Sequence, residues 1–336
     1  MDISKPSQKK MESNIGKEVV TELLPLVRVY KDGSVERLSG SPFVPPSMED
    51  PETGVSSKDI TISSNPLIRA RLFLPKLEES ESNIKIPILV YYHGGGFLIE
   101  SAFSADHHRF LNSLVSQAKI VAVSVEYRLP PENPLPAAYE DCWAALQWVS
   151  SFSSKYDNSA AIDEPWLNNH GDFERVFIGG DSAGANIAHN IAMRAGKENL
   201  HGGVKILGAL LTHPYFWGSK PSASDQSIDY LVCSVWNFVY PNAPGGIDNP
   251  MINPLVDEAP SLEGLGCCRL LVSVAECDWL RDRGVWYSEA VKKSGWKGEV
   301  ELTEIEGEDH AFQILRPGTK NANRLTKRLA DFLSKK

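Results

Sequence analysis

Apolar residues recur through the last three-quarters of the chain in short unbroken runs, and each run stops at a polar or glycine-rich tip. From Ile86 onward these runs are IPILVYYHGGG, KIVAVSVEYR, RVFIGGDSAG, KILGALLTHP, RLLVSVAECD and EVELTEIEG. Strands that are apolar on both faces are typical of parallel sheets buried between two layers of helices. Segments with helical periodicity lie between them, for example DHHRFLNSLVSQA. The alternation predicts an α/β fold with a mostly parallel central sheet flanked by helices.

The first part of the chain and one later stretch depart from this alternation. The segment LVRVYKDGSVERL alternates around Asp32-Gly33 and predicts a β-hairpin, and KDITIS and LIRARLFLP predict short strands. Residues 213–260 are rich in Tyr, Trp, Pro and Gly and predict an insertion with one short helix. We expect a single domain over residues 1–336, with a lid built from about residues 1–25 and 213–260.

The strongest chemical signal is the segment Gly180-Asp181-Ser182-Ala183-Gly184, between an apolar strand and a helix. It fits the G-x-S-x-G pattern in its strand–turn–helix context. A tight turn holds the serine oxygen clear of the backbone, and the N-terminus of the following helix favours developing negative charge. Ser182 is therefore the predicted nucleophile. A glycine-rich turn with an incidental serine is the alternative.

A run of three glycines, Gly94, Gly95 and Gly96, follows another apolar strand and predicts an oxyanion hole. Because glycine has no Cβ, the backbone N–H groups of such a run can face a cavity. The N–H of Ala183, the residue after the serine, completes the predicted hole. The sequence leaves open which two glycines donate, and we favour Gly94 and Gly95. A phosphate-binding turn is the alternative, but no Lys-Ser/Thr pair follows the run.

A serine nucleophile needs a base, and that base needs an acid to orient it. Of eight histidines, His310 in GEDHAF follows the last predicted strand, where a loop can carry its imidazole over the serine. His213, at the tip of another strand, is its rival. Asp278 ends the preceding strand and completes the order Ser, Asp, His of α/β-hydrolases. Asp282 and Glu276 are weaker candidates for the acid, and a helix N-cap is the alternative role for Asp278.

Composition and charge exclude several classes of function. The chain has 34 basic and 43 acidic residues, a net charge of −9, so a nucleic acid is a poor partner. Five cysteines without CxxC spacing predict reduced thiols and neither a disulfide framework nor a zinc site. No apolar run reaches the roughly 20 residues of a membrane helix, and the polar N-terminus has no signal-peptide core. We expect a cytoplasmic protein without a membrane partner, a metal or a cofactor.

The motifs HGGGF, EYRLPPENPLPAAYEDC, GDSAGAN, CDWLRD and GEDHAF together resemble the plant carboxylesterase family, in the hormone-sensitive-lipase-like branch of the α/β-hydrolases. The likeness runs from about Leu26 to the C-terminal helix. It implies the α/β-hydrolase fold, a lid, and hydrolysis of small carboxylic esters through an acyl-enzyme. The family roles fall on Ser182 as nucleophile, Asp278 as acid and His310 as base. The oxyanion positions fall on Gly94, Gly95, Gly96 and Ala183.

This family also contains branches that do not hydrolyse esters. YPNAPGG, NPMINP and KSGWKGE resemble its cyclases of plant indole-alkaloid pathways. Those cyclases alter the glycine run or the histidine position, the gibberellin-receptor relatives lack the base, and the hydroxyisoflavanone dehydratases carry Thr at the Ser182 position. The chain keeps the glycine run, His310 and Ser182, and this favours hydrolysis. A cyclase or lyase acting on an indole-alkaloid intermediate is the alternative, and both readings imply plant specialised metabolism.

Apolar side chains near the motif tips and in the insertion suit an apolar or planar substrate group. Core packing is the alternative role for each of them. The predicted substrate-binding residues are Phe97, Leu98, Tyr215, Trp236 and Phe312.

Overall fold

The computed structural model describes residues 16–78, 84–153, 164–224 and 229–335. A small antiparallel sheet begins the described chain, with β1 (Val19–Leu23), β2 (Val27–Tyr30) and β3 (Val35–Arg37) in sequential order. The turn between β2 and β3 has Gly33 at φ 80°, a backbone conformation that glycine adopts without strain. The hairpin predicted around Asp32-Gly33 is therefore confirmed.

Eight strands form the central sheet, in the order β11-β10-β9-β8-β6-β7-β5-β4. All neighbouring pairs from β11 to β7 are parallel, whereas β5 runs antiparallel to both β7 and β4. The mostly parallel sheet is thus confirmed, with its antiparallel part at one edge. The strands are β4 (Ser56–Ser64), β5 (Leu67–Leu74), β6 (Ile86–Tyr92), β7 (Val121–Glu126), β8 (Gly171–Asp181), β9 (Ile206–Thr212), β10 (Cys267–Ala275) and β11 (Glu299–Ile305).

Helices cover both faces of this sheet. None of those in the described ranges is both long and apolar enough to cross a membrane. The described helices are α1 (Ala105–Ala118), α2 (Ala137–Ser151), α3 (Pro165–His170), α4 (Ala183–Ala195), α5 (Asp229–Val239), α6 (Arg281–Lys293), α7 (Phe312–Leu315) and α8 (Lys320–Ser334), with 3₁₀ turns at 201–203, 246–248 and 262–264.

Successive residues of the buried strands contribute to two separate hydrophobic clusters. Val90 and Ile178 belong to the cluster shared with α2 and α4, whereas their neighbours Leu89 and Phe177 belong to the cluster shared with α1 and α8. Side chains alternate across a strand, so each cluster fills one face of the sheet. This two-sided burial explains why the strands are apolar at every position in the sequence.

The predicted insertion, and the part of the chain that follows the predicted N-terminal lid segment, pack beside the carboxyl edge of the sheet. In the insertion, Tyr215 Oη donates to Val232 O of α5 at 3.0 Å, and Asn186 Nδ2 of α4 donates to Tyr215 O at 2.9 Å. On the N-terminal side, Arg37 Nε of β3 donates to Leu98 O at 2.8 Å. Residues 1–15 of the predicted N-terminal lid lie outside the described residues, and a lid function stays a prediction.

Candidate active site

Ser182 lies between the last residue of β8 and the first residue of α4, at φ 53° and ψ −116°. A positive φ is rare for a residue with a Cβ, and it turns the side chain away from the strand. Neighbouring backbone passes so closely that a Cβ at Gly184 would overlap the carbonyl oxygen of Tyr92. Ser182 N donates to Thr212 O of β9 at 2.9 Å, which ties the turn to the adjacent strand. The glycines of the motif therefore make this tight turn possible.

The structure brings Ser182, His310 and Asp278 into one hydrogen-bonded chain. His310 Nε2 lies 2.9 Å from Ser182 Oγ, and His310 Nδ1 lies 2.7 Å from Asp278 Oδ2. The other carboxylate oxygen of Asp278 accepts the backbone N–H of Leu280 at 2.9 Å. Asp278 is 1% exposed, whereas the His310 side chain is 20% exposed. The carboxylate is thus enclosed, and the imidazole lies at the border with solvent.

The charges of these three side chains and their neighbours determine which of the hydrogen-bonded atoms carry protons. Burial raises the pKa of Asp278, but the imidazoles of His310 and His213 outweigh burial and hold it well below its usual range. Burial lowers the pKa of His310, but the Asp278 carboxylate outweighs burial and raises it overall. The ionised carboxylate accepts a hydrogen bond from Nδ1–H of neutral His310. Nε2 then accepts from Ser182 Oγ–H, which is the arrangement a general base requires.

Two further side chains support the relay of hydrogen bonds from Ser182 through His310 to Asp278, and neither was predicted to do so. His213 Nδ1 lies 3.3 Å from Asp278 Oδ2, and its Nε2 lies 3.0 Å from Gln313 Oε1. The indole of Trp279 stacks on the imidazole of His310, with ring centroids 5.2 Å apart. The sequence signal for Trp279 was its position directly after Asp278. His213 was considered only as a rival base, yet in the structure it faces the acid.

The two weaker acid candidates have other partners. Asp282 Oδ2 accepts the backbone N–H of Ser224 at 2.9 Å. Glu276 Oε2 accepts the N–H of Gly307 at 2.8 Å, in the loop that leads to His310. Within the described residues, Asp278 is the carboxylate that contacts His310 Nδ1.

The glycine run approaches the serine turn from the end of β6, and its backbone amides differ in their hydrogen-bond partners. Gly94 N donates to Asp181 Oδ1 at 3.0 Å, so its N–H is not directed into an oxyanion site. This corrects our preference for Gly94 as an oxyanion donor. The amides of Gly95 and Gly96 have no hydrogen-bond partner among the described residues. Ala183 is the first residue of α4, where an N–H has no acceptor within its own helix.

The five predicted substrate-binding side chains are buried in the two hydrophobic clusters of the fold. Phe97 packs edge-on against Tyr215 and Trp236, with centroids 6.0 and 6.5 Å away. Both polar atoms donate to backbone carbonyls: Tyr215 Oη donates to Val232 O at 3.0 Å, and Trp236 Nε1 donates to Gly246 O at 2.8 Å. A direct contact with substrate stays a prediction. Their exposed fractions are 0% for Phe97, Leu98 and Trp236, 2% for Tyr215 and 1% for Phe312.

Helix α5 lies over the glycine run. Val235 Cγ1 of α5 is 3.6 Å from the position that a Cβ would take at Gly96. Val235 is not among the predicted site residues, although helical periodicity places it on the same side as Trp236 and Val232. Val235 of α5 is therefore a close neighbour of Gly96 in the fold. A separate cleft of about 600 Å³ lies between the insertion and α6, beside Trp217.

His213, Asp278 and His310 also have the spacing of a metal site among the described residues, with one ligand atom each within 4.8 Å of the others. Both ring nitrogens of His310, however, already face partners, Ser182 on one side and Asp278 on the other. The arrangement suits proton transfer along the chain of hydrogen bonds. The expectation of no metal stays a prediction.

Comparisons with known proteins place the chain among esterase-like proteins. A family model described as the alpha/beta hydrolase fold matches residues 89–314. A 2-hydroxyisoflavanone dehydratase of Glycyrrhiza echinata is 60% identical, covering 94% of this chain and 97% of its own. A probable carboxylesterase 13 of Arabidopsis thaliana is 43% identical over 94% of this chain and 98% of its own. The solved structure of a hyperthermophilic esterase from the archaeon Pyrobaculum calidifontis has a TM-score of 0.67 and 28% identity, covering 83% of this chain and 85% of that one.

Proposed function

Because the chain belongs to the plant carboxylesterase family of α/β-hydrolases, we propose that it is a serine carboxylesterase acting on small carboxylic esters. One observation carries the proposal. The relay from Ser182 through His310 to Asp278 has hydrogen-bond distances of 2.9 and 2.7 Å. It lies beside the amides of a glycine run that have no partner in the described chain. These are the nucleophile, base, acid and oxyanion donors that acyl transfer needs.

In the first half of the reaction, Ser182 Oγ bonds to the ester carbonyl carbon while its proton passes to His310 Nε2. The carbonyl oxygen becomes an oxyanion, which the amides of Gly95, Gly96 and Ala183 stabilise. The carbon–oxygen bond to the alcohol then breaks, and the proton from Nε2 leaves with the alcohol. An acyl-enzyme remains on Ser182.

In the second half, a water molecule takes the place of the alcohol. His310 Nε2 removes a proton from the water as its oxygen bonds to the acyl carbon, and the same amides hold the second oxyanion. The bond to Ser182 Oγ breaks, Nε2 returns the proton to the serine, and a carboxylic acid departs. Asp278 stabilises the imidazolium that forms in each half.

The proposal is tested by ester turnover and covalent labelling of the same protein. A fluorophosphonate probe followed by intact-mass and peptide analysis should label Ser182, and p-nitrophenyl acetate should be hydrolysed. Ser182→Ala should lose the label and about 10⁴-fold or more in kcat. Ser124→Ala is a matched control, because Ser124 is a fully buried serine in β7. A Ser182→Ala protein that keeps more than a tenth of the turnover would refute the proposal.

A second candidate, elimination of water from a 2-hydroxyisoflavanone, is favoured by the 60% identity to a dehydratase. The same site suits that chemistry. His310 Nε2 would remove the proton next to the ketone, and the amides of Gly95 and Gly96 would hold the enolate oxygen. The carbon–oxygen bond to the hydroxyl would then break, and Nε2 would pass its proton to that hydroxyl, which leaves as water. This reaction needs no covalent bond to Ser182. A cyclase acting on an indole-alkaloid intermediate stays a prediction of the family resemblance.

Ser182→Thr separates the two reactions. Threonine keeps the hydroxyl but adds a methyl group at a residue with φ 53°, where the turn is tight. Ester turnover should fall steeply, whereas elimination from 2-hydroxyisoflavanone should survive, because it uses the hydroxyl only as a hydrogen-bonding group. An unmodified protein that eliminates water readily and hydrolyses esters poorly would favour the second candidate.

A further inference from the structure

We propose that His107 is a positioning residue for the oxyanion loop, which is the glycine run of Gly94, Gly95 and Gly96. Its imidazole joins Asp181, which holds the Gly94 amide, to Glu100, which holds the N-terminal segment at Ser41. His107 does not touch the reacting atoms in this arrangement and acts through its neighbours. The inference rests on the proposed function, since the loop matters only if its amides bind an oxyanion.

Asp181, the residue before the nucleophile, gathers three donors on one buried oxygen. Its Oδ1 accepts from Tyr91 Oη at 2.7 Å, from Gly94 N at 3.0 Å and from His107 Nε2 at 3.1 Å. The contact is close, because a Cβ at Gly94 would collide with the other carboxylate oxygen of Asp181. The carboxylate thus fixes the first amide of the glycine run, and the next two amides are placed relative to it.

His107 lies in α1 with its side chain 3% exposed, between two carboxylates. Opposite the Asp181 contact, its Nδ1 lies 3.5 Å from Glu100 Oε2. Burial lowers the pKa of His107, but the charges of Asp181 and Glu100 outweigh burial and raise the pKa to about 10. The other titratable rings that face it are His93 and Tyr91, with centroids 5.7 and 6.4 Å away. His107 is therefore an imidazolium that offsets two buried negative charges.

Glu100 extends this network to the N-terminal part of the chain. Its Oε1 accepts Ser41 N at 2.8 Å, and its Oε2 accepts Ser41 Oγ at 3.0 Å. Burial raises the pKa of Glu100, but the neighbouring His107 together with the hydrogen bonds from Ser104 and Ser41 outweighs burial and lowers the pKa to about 2. A Cβ at Gly40, which has φ 111°, would lie 3.4 Å from Glu100 Oε1, so this stretch of backbone runs beside the same carboxylate. The network therefore connects the segment around Ser41, which follows β3, to the oxyanion loop through charged groups.

A neutral side chain at position 107 would leave Asp181 and Glu100 buried without their shared cation. Uncompensated buried charge is strongly unfavourable, so Asp181 would take up a proton or move away from Glu100. Either change weakens its hold on Gly94 N and loosens the amides that follow. Loss of one oxyanion donor lowers kcat by roughly 10²–10³-fold, and we expect a loosened loop to cost about 10- to 100-fold.

The test compares His107→Gln with a matched control, His189→Gln. His189 is a buried histidine of α4 that bonds Tyr287 Oη at 2.9 Å, away from the loop. On p-nitrophenyl acetate, H107Q should lower kcat about 10- to 100-fold with KM within about twofold. Inhibition by a methyl trifluoroketone, whose adduct with serine carries an oxyanion, should weaken in parallel. H189Q should leave both values within about twofold. Equal effects of the two variants would overturn the proposal.

Charge rescue separates positioning from a merely structural role. In Glu100→Gln/His107→Gln one of the two carboxylates is neutral, so the double variant should recover about tenfold or more of the kcat lost in H107Q. A double variant in which the two losses multiply would overturn the proposal.

A measurement that does not depend on catalysis distinguishes failure of this proposal from failure of the proposed function. In ¹⁵N-histidine NMR of the full chain, the His107 ring, assigned by its loss in H107Q, should keep both nitrogens protonated at pH 8. A neutral His107 at that pH overturns the positioning network. An intact signal in a protein that hydrolyses no ester overturns only the proposed reaction.

Discussion

The Nε2 atom of His310 lies 2.9 Å from the Oγ atom of Ser182, although 128 residues separate the two along the chain. No local motif sets that distance. Ser182 follows β8 and His310 follows β11, and the strands from β8 to β11 are parallel neighbours whose carboxyl ends meet at one edge. The register of the sheet therefore sets the geometry of the relay.

The pH dependence of ester turnover should report the ionisation of His310. As a base, His310 must be neutral, and Asp278 raises its pKa. The acidic limb of kcat/KM should thus have its midpoint above about 6.5, the ordinary histidine value. Asp278→Asn removes the charge that raises this pKa, so the limb should move to lower pH while the rate falls by about 10⁴-fold. A stopped assay over pH 5 to 9 measures both.

Asp282→Asn is the control for that experiment, because Asp282 bonds Ser224 N and has no contact with the imidazole. Its pH profile should match that of the unmodified protein. An Asp278→Asn profile with an unmoved acidic limb would contradict the assignment of the acid.

The two histidines beside Asp278 should differ sharply in their contribution to catalysis. His310→Ala removes the group that contacts Ser182 and should lower kcat by about 10⁴-fold or more. His213→Gln removes a second contact to the carboxylate but leaves the base in place, so a loss of about tenfold is expected. Steady-state kinetics on one p-nitrophenyl ester gives both values. Similar losses in the two variants would return His213 to the role of base.

Alanine substitutions along the glycine run should show a graded effect. At Gly95, with φ 97°, a Cβ would collide with the carbonyl oxygen of Ile99, so G95A should lose most of its kcat. At Gly96, with φ 61°, the nearest atom to a Cβ is 3.6 Å away, and G96A should lose less. Gly33→Ala, with φ 80° in the hairpin and open space around it, is the control for backbone strain. We expect G33A to lower Tm without lowering kcat.

Trp236→Ala should destabilise the fold. Trp236 is fully buried, packs on Phe97 and donates Nε1–H to Gly246 O. Removing so large a core side chain costs about 3–5 kcal/mol, which thermal denaturation detects as a lower Tm. A Tm equal to that of the unmodified protein, together with a changed preference among esters of increasing chain length, would instead support a direct contact with substrate.

The sequence predicted the sheet and the placement of the relay because both depend on periodicity and on the order of strand ends. It did not predict where backbone amides point. The N–H of Gly94 faces Asp181, and that orientation arises from the approach of two strand ends far apart in sequence. Nor did it distinguish aromatic residues that line a cavity from those that fill a core, since Phe97 and Trp236 have the same residue types in either role.

The stacking of Trp279 on His310 gives the protein a built-in optical reporter. A protonated imidazole quenches a neighbouring indole more strongly than a neutral one, so the emission of Trp279 should rise as His310 loses its proton. Subtracting the spectrum of a Trp279→Phe protein isolates that signal from the other seven tryptophans. The charge state of the base can then be followed by light alone, before any substrate is known.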